Sequence, residues 1–307
     1  MVTTPMDVLK EFPVRKTKKQ KKAFRDAILS YASDLNYPVS IENGSLGSKN
    51  VVFGNPDTAN YLVTAHYDTC ARMIVPNLIT PCNLWTFLAY QIFVVLIMLL
   101  LPLLPGLLTG VLTDSFEAGY LVWYFCFLAV FILMFFGPAN LHNANDNTSG
   151  VITVLRIMKD LPQQYRDKVC FVLFDLEEMG LIGSKSYRNS HKTATENQII
   201  LNLDCVGDGD EILLFPTKKL RTDGDKMALL RQMNCTVGDK QLKLHEKGFS
   251  VYPSDQRNFP YGVGIAAFHR RKGVGLYCGR IHTHRDTVLD EENVSILRDR
   301  LMTVITG

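Results

Sequence analysis

Two apolar runs constrain this chain more than anything else in it. Leu84 to Leu101 and Gly119 to Phe136 carry no charged residue, and each is long enough for a membrane-crossing helix of about 20 residues. Trp85, Tyr90, Tyr120, Trp123 and Tyr124 supply aromatic side chains of the kind that settle at a membrane interface. Pro102, Pro105 and Gly106 break the first helix, and the connection holds only Asp114 and Glu117 as charges. The runs predict an inserted two-helix transmembrane hairpin, residues 78–140, with spans at about 84–104 and 119–137. Two spans return the chain to its starting side. Arg72 flanks one end, Lys159 follows the other, and the connection has no positive charge, so the positive-inside rule expects the remainder on the cytoplasmic side of the membrane. The competing expectation is a pair of buried helices capping a soluble enzyme, but core helices seldom stay uncharged on every face for so long.

Residues 1–77 and 141–307 read as one discontinuous domain. Short β-type runs at Val39–Ile41 and Asn50–Phe53 flank the turn-rich ENGSLGS, and YLVTA (Tyr61–Ala65) reads as a buried strand ending at His66 and Asp68. Val169–Phe174 and Gln198–Leu203 are continuous apolar runs, as central strands covered on both faces require; Glu177 and Glu178 follow the first and Asp204 the second. Helical spacing recurs in Lys16–Leu35, Ser149–Leu161, Lys226–Met233 and Val294–Val304, with late strands at Val263–Phe268 and Val274–Tyr277. Strands alternating with helices predict an α/β fold: a mixed, largely parallel central sheet flanked by helices, with its site at the carboxyl edge.

Net charge is +3 with 21% charged residues, which excludes a polyelectrolyte surface and any compositional case for nucleic acid. The seven cysteines are odd in number and scattered without a CxxC pair, which argues against a disulfide framework or thiolate zinc site. MVTTPMDVLKEF lacks the basic-then-apolar run of a signal peptide, so the catalytic part is expected in the cytoplasm. The basic lead-in KTKKQKK is read as a solvated helix start, with contact to anionic lipid as the alternative.

The polar landmarks are AHYD (His66, Asp68), NANDNTSG (Asp146), LFDLEEMG (Glu177, Glu178), LNLDCVG (Asp204) and RIHTHRDT (His282, His284, Asp286). Each alone is weak. Together they place histidines and acids beside apolar strands, a nitrogen and oxygen donor set that suits a pair of zinc ions sharing a carboxylate.

The chain resembles the dizinc aminopeptidase family that also holds glutaminyl cyclases, glutamate carboxypeptidase and the catalytically dead transferrin receptor. The resemblance runs from about Gly44 to Thr287, outside the apolar block, through AHYDT, NANDNTSG, DLEEMGLIGS, LNLDCVG, SDQRNFP and IHTHRDT. It implies a zinc-exopeptidase-like fold and two Zn2+ per chain. Asp146 would bridge them, His66 and Asp204 completing one site and Glu178 and His282 the other. Glu177 would be the general base, and Asp68 would hold the His66 ring through its second nitrogen. The family's HTxxDT register selects His282 over His284, with Asp286 behind it. Asp255, Gln256, Phe259, Tyr277, His284 and Arg270 are the candidate substrate contacts. Gln256 departs from the family's usual histidine, and Arg270, Arg271 and Lys272 form a basic cluster that suits an acidic substrate, phospholipid headgroups or only solvent. The hairpin interrupts the chain between His66 and Asp146, so it should emerge beside the active site.

What the resemblance implies is a membrane-anchored zinc metalloaminopeptidase or amidohydrolase acting on a peptide or amide, with apolar or lipidated peptides able to arrive from the bilayer. An N-acyl amino acid amidase is the nearest alternative. A glutaminyl-cyclase-like transferase would need one zinc and lacks the first histidine of HxD, which this chain keeps. A dead scaffold would have lost ligands that are all present here.

Overall fold

In the computed structural model, residues 2–73, 75 and 77–307 are described. The helices are α1 (Asp7–Glu11), α2 (Lys18–Asp34), α3 (Leu84–Leu100), α4 (Leu103–Thr113), α5 (Phe116–Phe136), α6 (Gly150–Asp160), α7 (Ile182–Ser190), α8 (Lys218–Arg221), α9 (Gly224–Arg231) and α10 (Glu291–Thr306). The strands are β1 (Val39–Asn43), β2 (Lys49–Phe53), β3 (Tyr61–His66), β4 (Val169–Phe174), β5 (Ile199–Leu203), β6 (Glu211–Pro216), β7 (Cys235–Val237), β8 (Lys240–Leu244), β9 (Gly262–Arg271) and β10 (Gly275–Tyr277).

All ten strands join one mixed sheet in the order β1-β2-β4-β3-β5-β9-β6-β8-β7, with β10 paired to β9. Strands β4, β3, β5 and β9 run parallel at its centre, and antiparallel pairings dominate the flanks. Every residue of β4 and β5 is buried, as their unbroken apolar sequences require. On one face α6 packs through Val151, Val154, Leu155 and Met158 into the main core with Phe24, Ile28 and Leu297. Gly150 opens that helix where any Cβ would collide with the Leu203 carbonyl, so α6 lies hard against β5. Helix α2 starts at a capping box: Thr17 Oγ1 accepts from Gln20 N (3.2 Å) and Gln20 Oε1 accepts from Thr17 N (2.9 Å).

The hairpin differs from expectation in one respect. Helix resumes after Pro102 and runs as α4 to Thr113, so the connection shrinks to Asp114 and Ser115. Both prolines fall at the start of α4, where a missing N–H costs nothing. Helices α4 and α5 meet at Gly106 and Gly119; a Cβ on either would sit 2.8–2.9 Å from the other's carbonyl oxygen. Leu84–Thr113 and Phe116–Phe136 are long and apolar enough to cross a membrane, and their apolar windows are only 11% and 6% buried. That exposure is the opposite of what a soluble core pair would show. The two connecting segments are tied at the root, where Ala71 bridges Ala139 and Arg72 N donates to the Pro138 carbonyl at 2.8 Å.

Candidate metal centre

Parallel register puts three strand ends level with one another. His66 of β3 faces Phe174 of β4, and Thr64 faces Asn202 of β5, so His66, Glu177, Glu178 and Asp204 emerge on one edge. The chain turns sharply to aim them. Leu176, Cys205 and His282 all adopt left-handed backbone (φ 57°, 56° and 60°), which costs a non-glycine residue about 1–2 kcal/mol each. Asp146 arrives on the irregular turn Ala144–Ser149 that precedes α6, with a cis peptide to Asn147.

Asp146 lies between two histidines. Its Oδ1 is 3.3 Å from His66 Nε2 and its Oδ2 is 2.9 Å from His282 Nε2. Asp204 Oδ1 is 3.5 Å from His66 Nε2, and Glu178 Oε2 is 3.4 Å from His282 Nε2. Donor atoms of His66, Asp146 and Glu178 fall within 4.8 Å of one another, as do those of His66, Glu177 and Asp204.

Two buried acids hold the ligand loops from behind. Asp286 accepts from Asn145 N (2.7 Å) and Asp146 N (3.0 Å), one bond on each oxygen. Asp68 does the same for the glutamate pair, accepting from Glu177 N at 3.0 Å and Glu178 N at 3.2 Å. His66 Nδ1 faces Asp68, 3.2 Å from its backbone carbonyl and 3.7 Å from its carboxylate, whose oxygens also accept the Glu177 and Glu178 N–H groups. Asp286, expected behind His282, likewise serves the Asp146 backbone. Asn147 ties the edges together: its Nδ2 donates to Leu203 O (2.9 Å) and its Oδ1 accepts from Gly150 N (3.0 Å).

The electrostatics are those of too much negative charge for one buried space. Burial opposes ionising Asp146, yet His282 and His66 overcome it and hold its carboxyl below the ordinary range. Burial pushes the Glu178 carboxyl up to about 8 and lifts Glu177 well above its usual value. The His282 imidazole, despite burial, is raised to about 9 by Glu178 and Asp146. Glu178 Oε1, Asp204 Oδ1 and His282 Nδ1 are buried with no hydrogen-bond partner among the described residues. Clustered carboxylates with orphaned oxygens, converging with two imidazoles, fit divalent cations better than any proton arrangement. Arg15, fully buried, is the fixed counter-charge nearby, donating to Phe12 O (2.6 Å) and Thr148 Oγ1 (3.1 Å).

The candidate substrate contacts are not brought together. Asp255 is buried, with burial raising its carboxyl to about 7 against the pull of His66. Gln256 is a buried structural link, donating to Tyr252 O (2.8 Å) and accepting from Asn202 Nδ2 (3.2 Å). Phe259 packs on Phe174 and Tyr187 in a small core, Tyr277 packs on His269, and His284 is exposed. Arg270 is exposed and engaged bidentately by Glu211, so it is neither free nor at the site. A cavity of about 160 Å³ at the ligands is instead lined by Tyr252, Ile281 and, from the hairpin helix α3, Phe87 and Gln91. Only the position of the insertion between His66 and Asp146 hinted at those last two.

The profile of peptidase family M28 matches residues 130–300. No curated protein sequence matches the chain. Among solved structures, glutaminyl cyclase from Porphyromonas gingivalis is similar at 14% identity and TM-score 0.61, over 96% of this chain and 93% of that one. The LapA aminopeptidase of Legionella pneumophila is similar at 12% identity and TM-score 0.57, over 98% and 68%. Glutaminyl cyclase from Bacteroides thetaiotaomicron, bound to N-acetylhistamine, gives 14% and 0.60, over 97% and 93%. At such identities the likeness is one of fold.

Proposed function

The chain belongs to peptidase family M28, and from that premise we propose that it is a membrane-anchored dizinc hydrolase of aminopeptidase type, cleaving an amide bond with Glu177 as general base. The observation that carries this reading is Asp146, whose two carboxylate oxygens each meet a different histidine. His66 and Asp204 would hold one metal and Glu178 and His282 the other, with Asp146 common to both. Two such metals supply Lewis acidity at the scissile carbonyl and lower the pKa of water. Glu177 closes no ion pair among the described residues, stands next to a ligand and lines the cavity. That freedom lets its carboxylate take a proton from water and hand it to the leaving amine. Asp68 is a positioning residue, fixing the backbone of Glu177 and Glu178 together.

The domain spans residues 1–77 and 141–307, and the hairpin of residues 78–140 anchors it to lipid with the site on the cytoplasmic side. An apolar or lipidated peptide, or an N-acyl amino acid, then has a route from the bilayer, because α3 itself contributes to the cavity wall. Detergent-purified protein assayed on free-amine aminoacyl amides and on matched N-acylated amides tests the reading. Cleavage of the first panel establishes an aminopeptidase and cleavage of the second an amidase of acyl amides. Cleavage of neither by protein holding two zinc ions removes the proposal. Cyclisation of N-terminal glutamine is the rival chemistry, favoured by one zinc per chain; His66, placed between Asp146 and Asp204, supports two.

A further inference from the structure

A second, larger cavity of about 600 Å³ shares Glu178 and His282 with the smaller one. Its wall is apolar: Met134, Phe135 and Phe136 come from the last turn of α5, Met179 and Ile182 follow β4, and Met73 leads into the hairpin. The two helices of the hairpin therefore serve different chambers, the start of α3 the small one and the end of α5 the large one. Leu46 rims the large chamber, 83% exposed on a left-handed turn (φ 52°) that an apolar residue rarely adopts.

Three lysines, Lys16, Lys18 and Lys21, join this largely apolar wall. Lys16 Nζ donates to Phe135 O at 2.6 Å, one of the carbonyls α5 leaves open at its end. Lys21, which also lines the chamber, is neutralised by Asp175 at 2.7 Å, whereas no carboxylate lies within 4 Å of Lys16 among the described residues. A half-buried ammonium held on a backbone carbonyl and not in a close ion pair, with Glu178 and Asp68 acting on it only at longer range, is complementary to a carboxylate on an apolar chain. The small chamber differs in capacity. A cavity of about 150 Å³ holds a benzene-sized group, so it accommodates one side chain and no long tail.

We propose that the large chamber binds the apolar, carboxylate-bearing chain of an amphiphilic amide, with Lys16 on the carboxylate, while the small chamber takes the residue-sized group across the scissile bond. This rests on the amide-hydrolase reading and adds the substrate class to it. In the reaction, water's oxygen joins the acyl carbon, the C–N bond breaks, and the chain leaves as an amine that has gained a proton.

The test uses alanine, free or N-acetylated, joined by an amide to ω-amino acids with about two to ten methylenes, each as the carboxylate and as the neutral carboxamide. Full-length, zinc-loaded protein in detergent should show kcat/KM rising about tenfold or more with chain length, mainly through KM, with the carboxylates ahead of the carboxamides. Lys16→Met should erase the carboxylate advantage, and Met179→Trp should flatten the dependence on chain length, with zinc content confirming that both variants fold. Equal kcat/KM across the whole series overturns the chamber assignment and leaves the hydrolase reading standing. If Lys16→Met leaves both series unchanged but weakens binding to phosphatidylglycerol vesicles, Lys16 contacts lipid and the assignment is wrong. Absence of turnover on every amide, with metal bound, removes the hydrolase reading and this inference with it.

Discussion

The carboxyl edge of the sheet and the root of the hairpin border the same cavity, but opposite means shape them. At the edge, polar bonds between distant segments fix each ligand loop: Asp286 grips the Asp146 turn across 140 residues and Asp68 grips the glutamate pair across 109 and 110. In the hairpin, shape comes from the absence of side chains, with Gly106 and Gly119 allowing α4 and α5 to touch backbone to backbone. The edge tolerates little because the backbone of each ligand loop is held by a named partner. The hairpin is constrained at Gly106 and Gly119 and where Phe87, Gln91 and the end of α5 line the two cavities.

The largest effect that separates the two regions is expected at Glu177. Glu177→Gln should lower kcat by about 10²–10⁴-fold while zinc per chain, measured by elemental analysis, stays at the wild-type value. Next come the supporting acids, where Asp286→Asn and Asp68→Asn should each lose about 10–100-fold in metal affinity or activity. Their signatures should differ, since chelator competition should expose Asp286→Asn as the weaker metal binder and turnover should expose Asp68→Asn as the poorer catalyst. In the hairpin, Gly119→Leu should destabilise the α4–α5 contact by about 1–3 kcal/mol, seen as faster proteolysis near Asp114 with zinc content unchanged. Loss of zinc in that variant would show that the regions are not separable.

The smallest effect is a pH dependence of metal loading. In the metal-free protein, burial raises Glu178 to about 8, and Glu178 and Asp146 raise His282 to about 9 against the opposing effect of burial. Both shifts favour the protonated forms, which must lose a proton to bind a cation. Zinc loading should release protons at pH 7, and apparent affinity should climb as pH rises through that window, by up to about tenfold per pH unit for each proton released. Calorimetry in two buffers of different ionisation enthalpy measures the release directly.

Much of the edge was legible because its signals are local. An apolar strand followed by an acid or histidine announces both the strand and where it ends, and β3, β4 and β5 appear where Tyr61–Ala65, Val169–Phe174 and Gln198–Leu203 predicted them. The hairpin was legible for a similar reason, though α4 was not, since prolines that break one helix can equally open the next. The lead-in KTKKQKK was only partly read. Lys18 and Lys19 are solvated as expected, but Lys21 is buried on Asp175 and Lys16 reaches the end of α5, contacts set by tertiary packing that no periodicity announces. Side-chain direction at the candidate substrate residues was the least legible feature. Gln256, Phe259 and Arg270 are spent on structural partners, and sequence spacing does not tell which way a side chain points after a strand ends.

Asp146 is proposed to join two metal sites at the root of the hairpin. Anomalous diffraction at the zinc edge, on crystals of the zinc-loaded protein, tests it most directly. Two peaks per chain are expected, one held by His66 and Asp204 and one by Glu178 and His282, with an oxygen of Asp146 against each. A single peak, or two peaks that leave Asp146 uncoordinated, would contradict it.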